Sequence, residues 1–329
     1  MHKHSFSEEV ERLVNPISVG SLHFIQMFNK LLPKAIQRRL VSSSSKKIPF
    51  MGFVVEPYSF FLCYEIADAN KAKALLPDNF ELVKTSIFQD DDPKYYCIFG
   101  CFRAHTSAFW GVRNEFYVIA EDKKTGLLSW IIIDYDTDTI SYDSQNGLRS
   151  PNCDSAILTT DYTGSIIANI KNNDQSRGLE FNATLDKGGM KKLNQRLWLE
   201  GNLSIGYGRV LSQNNADIFS LKFQPGEVAQ ALDIPLQNLN ISTNSWYPGL
   251  FKSAPARAVC FPYAQHFVSD SPGHTSKLQN EDQLQAANEA IDFSTVKTFS
   301  AKSFLVMFVV NAAISTVIIL TLAVIAILK

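Results

Sequence analysis

FWGVRNEFYVIAEDKKTGLLSWIIIDYDTDTISYDSQNG, residues 109–147, is the densest mixture of apolar, aromatic and ionisable side chains in this chain. Phe116, Val118 and Ala120 alternate with Glu115, Tyr117 and Ile119, a period of two that predicts a strand. Asp122-Lys123-Lys124-Thr125-Gly126 supplies a polar turn closed by glycine. Leu127–Tyr135 returns as a more apolar strand, whose Ile131-Ile132-Ile133 run predicts burial on both faces. Thr139–Tyr142 is expected as a third strand. A β meander therefore sits at the centre of the fold.

Outward from it, Phe53–Ile66 is aromatic and β-prone, and Lys94–Phe102 resumes strand character. Between them Asp68–Leu76 switches to helix formers, with Asp68 placed as N-cap and Pro77 just beyond the end. Ser165–Ile170, Gly178–Leu185, Leu197–Val210 and Ile218–Phe223 are expected as later strands, and Glu227–Leu232 as a short helix opened by Pro225-Gly226. No repeat of 20–50 residues is visible. The expected fold class is mainly β with a few short helices, a closed cone or barrel-like domain, followed by a C-terminal transmembrane helix.

With 329 residues, 46% of them hydrophobic, the chain can bury a sizeable core. A formal net charge of −1 gives no basic field for nucleic acid, so nucleic acid is not an expected partner. The five cysteines (63, 97, 101, 153 and 260) are an odd number, and the polar Met1–Arg12 segment reads as no secretory signal. Free thiols in a reducing compartment are the simpler account. The C-x3-C spacing of Cys97 and Cys101 puts both on one face of a strand as small packed residues, and no zinc site is expected. The sequons at Asn182, Asn202 and Asn240 match chance in a chain rich in Ser and Asn.

Two segments point to a membrane. From Ile17 to Leu40, Leu22, Ile25, Phe28 and Leu32 fall at helical spacing, with Lys30, Lys34, Arg38 and Arg39 toward the end and Pro33 dividing the run. Such a basic amphipathic helix, Leu22–Leu40, either lies on an anionic surface or packs on the domain with solvated cations. Ser42–Ser45 reads as a linker. Phe304–Leu328 contains 25 residues without a charge, bounded by Lys302 and Lys329. At about 1.5 Å per residue that run crosses a hydrocarbon core of about 30 Å. Lys297 and Lys302 on the long side, against Lys329 alone beyond, bias the main domain to the cytoplasm of a single-pass, tail-anchored protein. Asn311 and Ser315 lie on one face of the run, suited either to a helix–helix partner or to bonds back to their own helix. The expected organisation is an arm and linker (1–47), a β-rich domain (48–273), a polar stalk, helical or loose (274–303), and the membrane helix (304–328).

The candidate chemistry centres on Gly111-Val112-Arg113-Asn114-Glu115. Arg113 and Glu115 are two apart on a strand, hence on one face. Facing a cavity, they orient a carboxylate or carbonyl; facing a neighbouring strand, they form a structural ion pair. Glu65, at the end of an apolar strand, is a further acid/base candidate beside Glu115, and Trp110, Tyr117 and His105 join Arg113 as candidate substrate-binding residues. Asp134, Asp136 and Asp138 alternate along a strand end but lack the glycine and closing glutamate of a calcium loop. No P-loop, dinucleotide fingerprint, serine elbow or zinc-protease motif is present, and no metal or cofactor is expected.

Across roughly residues 50–270 the chain resembles the acetoacetate decarboxylase-like superfamily, a β-cone around an enclosed pocket. The likeness lies in Tyr64-Glu65, in Asp68–Pro77 (DANKAKALLP), and in Gly111, Arg113 and Glu115, similar to that family's Gly-Arg-Glu segment. It implies a small-molecule or lipid-like ligand held by Arg113, Glu115 and Glu65. The family's decarboxylases form a Schiff base on a lysine that follows Gly-x-Pro soon after this segment. Here FYVIAEDKKTG follows instead, without that glycine and proline, and Lys123-Lys124 stand beside Glu121 and Asp122 in a turn. The Schiff-base lysine is therefore not evident. Any reaction is expected to be decarboxylase-like or a related acid/base step, and a non-enzymatic membrane scaffold is the competing expectation.

Overall fold

The order of the strands determines where the candidate residues stand. The computed structural model describes residues 5–14, 51–106, 110–139, 141–143, 147–149, 151–200, 202–205, 217–269, 275–296 and 301–327. The arm expected at Leu22–Leu40 lies outside these residues. The strands are β1 Met51–Val55, β2 Ser59–Glu65, β3 Phe80–Leu82, β4 Tyr96–Thr106, β5 Trp110–Asp122, β6 Leu128–Thr137, β7 Ser141–Asp143, β8 Gly147–Arg149 and β9 Ala156–Thr160. They continue as β10 Ser165–Lys171, β11 Gly178–Thr184, β12 Gly189–Lys192, β13 Asn202–Ile205, β14 Asp217–Phe223, β15 Gln230–Asp233, β16 Leu239–Asn244, β17 Arg257–Phe261 and β18 Gln265–Ser269. The helices are α1 Phe6–Leu13, α2 Ala69–Lys73, α3 Gln195–Leu199, α4 Glu281–Glu289 and α5 Ala301–Ile327.

Twelve strands make one sheet in the order β12-β15-β17-β2-β4-β1-β18-β14-β13-β6-β5-β3, and a further β4–β5 ladder folds that sheet back on itself. Its pairings are antiparallel except β13–β6. The fold is mainly β, as expected: through the β4–β5 ladder β4, β1, β18, β14, β13, β6 and β5 pair in a ring, and β12 and β3 remain as edges of the strands that extend from it. A second sheet, β16-β11-β10-β9, packs on the outside.

The folded sheet has two faces with separate cores. Ile98, Tyr117, Ile119, Ile132, Phe223 and Phe261 fill the inner face, where strands far apart in the order meet. Phe99, Phe116 and Val118 point outward against Ile166, Phe181 and Trp246. Both faces of β6 are covered, which is why Ile131, Ile132 and Ile133 are all buried. The β5–β6 turn forms as read: the Asp122 carboxylate accepts from the backbone of Lys124 and Thr125, and Gly126 takes φ +70°. Asp68 caps α2 by accepting from Asn70 and Lys71.

Three local expectations are corrected. Ser141–Asp143 leaves the meander and pairs with β8 as a separate hairpin. Residues 195–199 are helical rather than extended, because Asn194 caps them through the Leu197 amide. Glu227–Leu232 is a 3-10 turn running into β15, because the β17 edge offers Leu232 and Asp233 a ladder.

Helix α1 seats Phe6 and Val10 against Val54 and Val268. His266 ties it down: its Nδ1 lies 2.7 Å from Glu227, its Nε2 3.4 Å from Glu11, and its amide donates to Glu227. Burial works to lower the imidazole's pKa, but the bond to Glu227 outweighs it and the net shift is upward. A raised folded-state pKa gives stability that is full below the unfolded value, near 6.5, and lost as pH rises through the folded one. Denaturant midpoints should therefore fall from about pH 6.5 upward, and His266→Gln should flatten that limb.

The polar segment expected as a stalk contains α4, which docks on the domain. Leu284 is wholly buried in the inner core and Asn288 donates to the Phe223 carbonyl at 2.8 Å. Leu284→Ala should lower unfolding free energy by at least about 2 kcal/mol in urea titrations. Helix α5 is 27 residues long. The side chains at 301–305, 307, 308, 311 and 323 lie outside the description, and among described residues no helix is long and apolar enough to cross a membrane. The hydroxyls of Thr316 and Thr321 donate back to Ala312 and Val317.

Candidate functional site

Odd-numbered residues of β5 face inward and even-numbered ones outward. Arg113, Glu115 and Tyr117 therefore line up on the inner face, opposite Phe102, Gly100 and Ile98 of β4. Gly100 makes room there: a Cβ would stand 2.9 Å from Phe61 and 3.0 Å from Tyr117. On the other side, Glu115 pairs with Tyr135 of β6.

The ladder's geometry turns this row into one charge-neutral unit. Arg113 donates from Nε to Glu115 Oε1 at 2.8 Å and from Nη2 to the same oxygen at 2.7 Å. The Tyr117 hydroxyl donates to Glu115 Oε2 in a short hydrogen bond. The Arg113 guanidinium lies 4.6 Å from the centre of the Tyr135 ring. Arg113 is only 4% exposed and Glu115 6%. The result is a carboxylate with both oxygens engaged and a cation against an aromatic face, set in an apolar core.

Of the six residues singled out in the sequence, Arg113, Glu115 and Tyr117 come together and three do not. Trp110 and His105 stack on each other at 4.5 Å on the outer face. There His105 Nε2 lies 2.5 Å from Glu56. Glu65 ends β2 opposite Tyr96, away from Glu115, and is 27% exposed at its side chain. Lys252, at 2.8 Å, and then Lys94 hold its carboxyl below the usual range. Lys123 stays in its turn, donating to the Asp78 carbonyl.

Tyr135 is a member the sequence reading missed, as is the group behind it. On the outer face Arg177 bridges Asp134 and Asp136, with Nε 3.0 Å from Asp136 Oδ1 and Nη1 bonded to Asp134. Its guanidinium also lies 4.4 Å from the Trp246 ring centre. Burial pushes the Asp136 carboxyl up despite the arginine. Cys97 and Cys101 are buried outward, as their spacing required, and burial raises both thiols. Among the described residues no three His, Cys, Asp or Glu side chains gather as metal ligands.

No protein-family model matches the chain and no curated protein sequence matches it. Solved structures with a similar arrangement include the acetoacetate decarboxylase of Legionella pneumophila: 10% identity, 67% of this chain and 85% of that one, TM-score 0.44. An acetoacetate decarboxylase-like enzyme of Sphingomonas wittichii follows at 10% identity, 69% of this chain and 92% of that one, TM-score 0.41. The enduracididine biosynthesis enzyme MppR aligns at 7% identity over 70% of this chain and 90% of its own, TM-score 0.41. These likenesses fall on the same group as the sequence resemblance. They concern overall fold and transfer no residue role to this chain.

Proposed function

We propose that the inner face around Arg113 binds a small or lipophilic compound bearing a carbonyl or carboxylate, and that α5 anchors the protein in a membrane with the β-rich domain in the cytoplasm. The observation that carries the first part is the burial of Arg113 beside Glu115 and Tyr117. A guanidinium stays charged at any working pH and loses several kcal/mol of solvation on burial. Its planar donors suit a carboxylate or a polarised carbonyl oxygen. Glu115, placed between Arg113 and Tyr117, is the group positioned to orient the ligand or move a proton to or from it. No lysine adduct enters this reading.

The anchoring part rests on the uncharged run Phe304–Leu328 and on the exposure of Val306, Val309, Ile314, Val317 and Ile318 along α5. Exposed apolar side chains around a whole helix are disfavoured in water and favoured in lipid. Tail anchoring, the cytoplasmic side, a helix–helix partner in the bilayer and the four-part division of the chain belong to the same proposal. A second reading, a non-enzymatic scaffold acting through its membrane segments, is favoured by one observation: Arg113, Glu115 and Tyr117 already satisfy one another.

The test is native mass spectrometry of the full chain released from detergent micelles, wild type beside Arg113→Lys, with circular dichroism to show both folded. A small-molecule adduct on the wild type that Arg113→Lys loses supports the ligand reading. Bare masses for both, with folding intact, favour the scaffold. Resistance of the protein to alkaline carbonate washing of membranes tests the anchor, and full release into the wash would remove it.

A further inference from the structure

The segment of β6 that carries Tyr135 is held from outside the sheet. A bulge in the β5–β6 ladder falls between Phe116 and Tyr117, and β13 pairs with β6 only over Trp130–Ile132. Beyond Ile132 no described strand continues along that edge of β6, so its backbone needs other partners. The Thr137 carbonyl accepts from the Asn152 and Cys153 amides, the Tyr135 amide donates to Asp134, and two further side chains take the rest. The Tyr135 carbonyl accepts from Arg177 Nη2 at 3.0 Å and from Asn152 Nδ2 at 2.9 Å. Asn152 Oδ1 accepts from the Thr137 amide at 2.7 Å, so one side chain bonds both sides of the segment. Arg177 grips the residues on either side, Asp134 and Asp136, and rests on Trp246.

The Arg177 guanidinium therefore contacts three consecutive residues of β6 and stacks on a fourth residue, all on the outer face. The Tyr135 ring, in the middle of the gripped segment, passes to the inner face under Arg113. Buried groups with several bonded neighbours have one low-energy arrangement, so holding this backbone fixes the direction of the ring.

We propose that Arg177, with Asn152, is a positioning residue: from the second sheet it fixes the Tyr135 backbone and so holds the aromatic face beneath Arg113 in the inner site. This rests on the ligand reading only for its significance; the geometry it asserts is present without ligand. A carboxylate or carbonyl at Arg113 would meet a cation whose orientation is set before binding, the general requirement for a preorganised site. Hairpin residue Arg177, 64 positions from Arg113 in the chain, is then part of the site through Tyr135.

The experiment places 3-fluorotyrosine at position 135 of the full chain in detergent micelles and reads its fluorine resonance. Wild type should give one sharp line. Arg113→Lys should displace it, because the guanidinium no longer lies on the ring. Arg177→Lys, which keeps the charge but loses the planar grip, should split or broaden the line while circular dichroism stays native. Asn152→Ala, removing the other donor to the same carbonyl, should do so too, and it serves if Arg177→Lys does not fold. Lys191→Ala, which breaks an exposed pair with Asp233, is the control and should change nothing. An unchanged line in Arg177→Lys and in Asn152→Ala overturns the proposal. Because no ligand is needed, that failure is distinct from a bare mass in the binding test, which would end the ligand reading alone.

Discussion

Arg113→Met is expected to destabilise the domain by about 3–5 kcal/mol, because it strands the Glu115 carboxylate in an apolar core. Tyr117 would remain as a single donor, enough to orient the acid but not to replace a cation two bonds strong. The companion change decides what the wild-type pair does. Removing both charges in Arg113→Met/Glu115→Leu should recover most of the loss, since two buried ions give way to two apolar side chains of similar bulk. Urea unfolding followed by far-ultraviolet circular dichroism would give all three free energies. A double variant as stable as wild type, and devoid of bound small molecule, shows a pair kept for recognition rather than for folding. A single variant that loses under about 1 kcal/mol would mean that Glu115 reaches water, contrary to its burial.

The same pair shows how far the sequence could be read. Arg113 and Glu115 differ by two, so a strand assignment alone places them together. By that arithmetic Trp110, three positions from Arg113, belongs on the opposite face, and it stacks there on His105. The information was present in the parity of the numbering. Tyr135 was less accessible, because the bulge at Phe116/Tyr117 shifts the register and alters which β6 residue meets Glu115. Arg177 was beyond reach: in Asn172-Asn173-Asp174-Gln175-Ser176-Arg177-Gly178 it reads as one cation in a polar turn. Its partners lie more than forty residues away, and only the packing of the second sheet on the first brings them together.

Helices divided along similar lines. Asp68 capped its helix as read, because the signal and its effect are three residues apart. Helix α1 carried an equally local signal, Ser5 and Glu8 in a reciprocal capping box, although its surroundings are polar and charged. Leu197-Trp198-Leu199 and Ala231-Leu232 are short apolar runs for which periodicity cannot separate helix from strand. A cap at Asn194 decided one and a free edge on β17 the other.

Arg177→Met should also lose about 3–5 kcal/mol at neutral pH, since it leaves two carboxylates without their cation. This loss will depend on pH in a direction fixed by Asp136. Burial raises that carboxyl even with Arg177 in place. A raised carboxylate contributes stability that is full below its unfolded value, near 3.9, and declines as pH rises through the folded one. Without Arg177 the bond and charge that work to lower it are gone, so its folded pKa moves further up and the decline continues to higher pH. The gap between variant and wild type should thus be smallest in mild acid and widen toward neutrality. Denaturant titrations at several pH values between about 4.5 and 7.5 would measure it. Asp136→Asn in the Arg177→Met background should remove most of the widening, because an amide cannot ionise. If the gap stayed constant over that range, Asp136 would not be the carboxylate that Arg177 neutralises, and the clamp on β6 would act through its bond to the Tyr135 carbonyl alone.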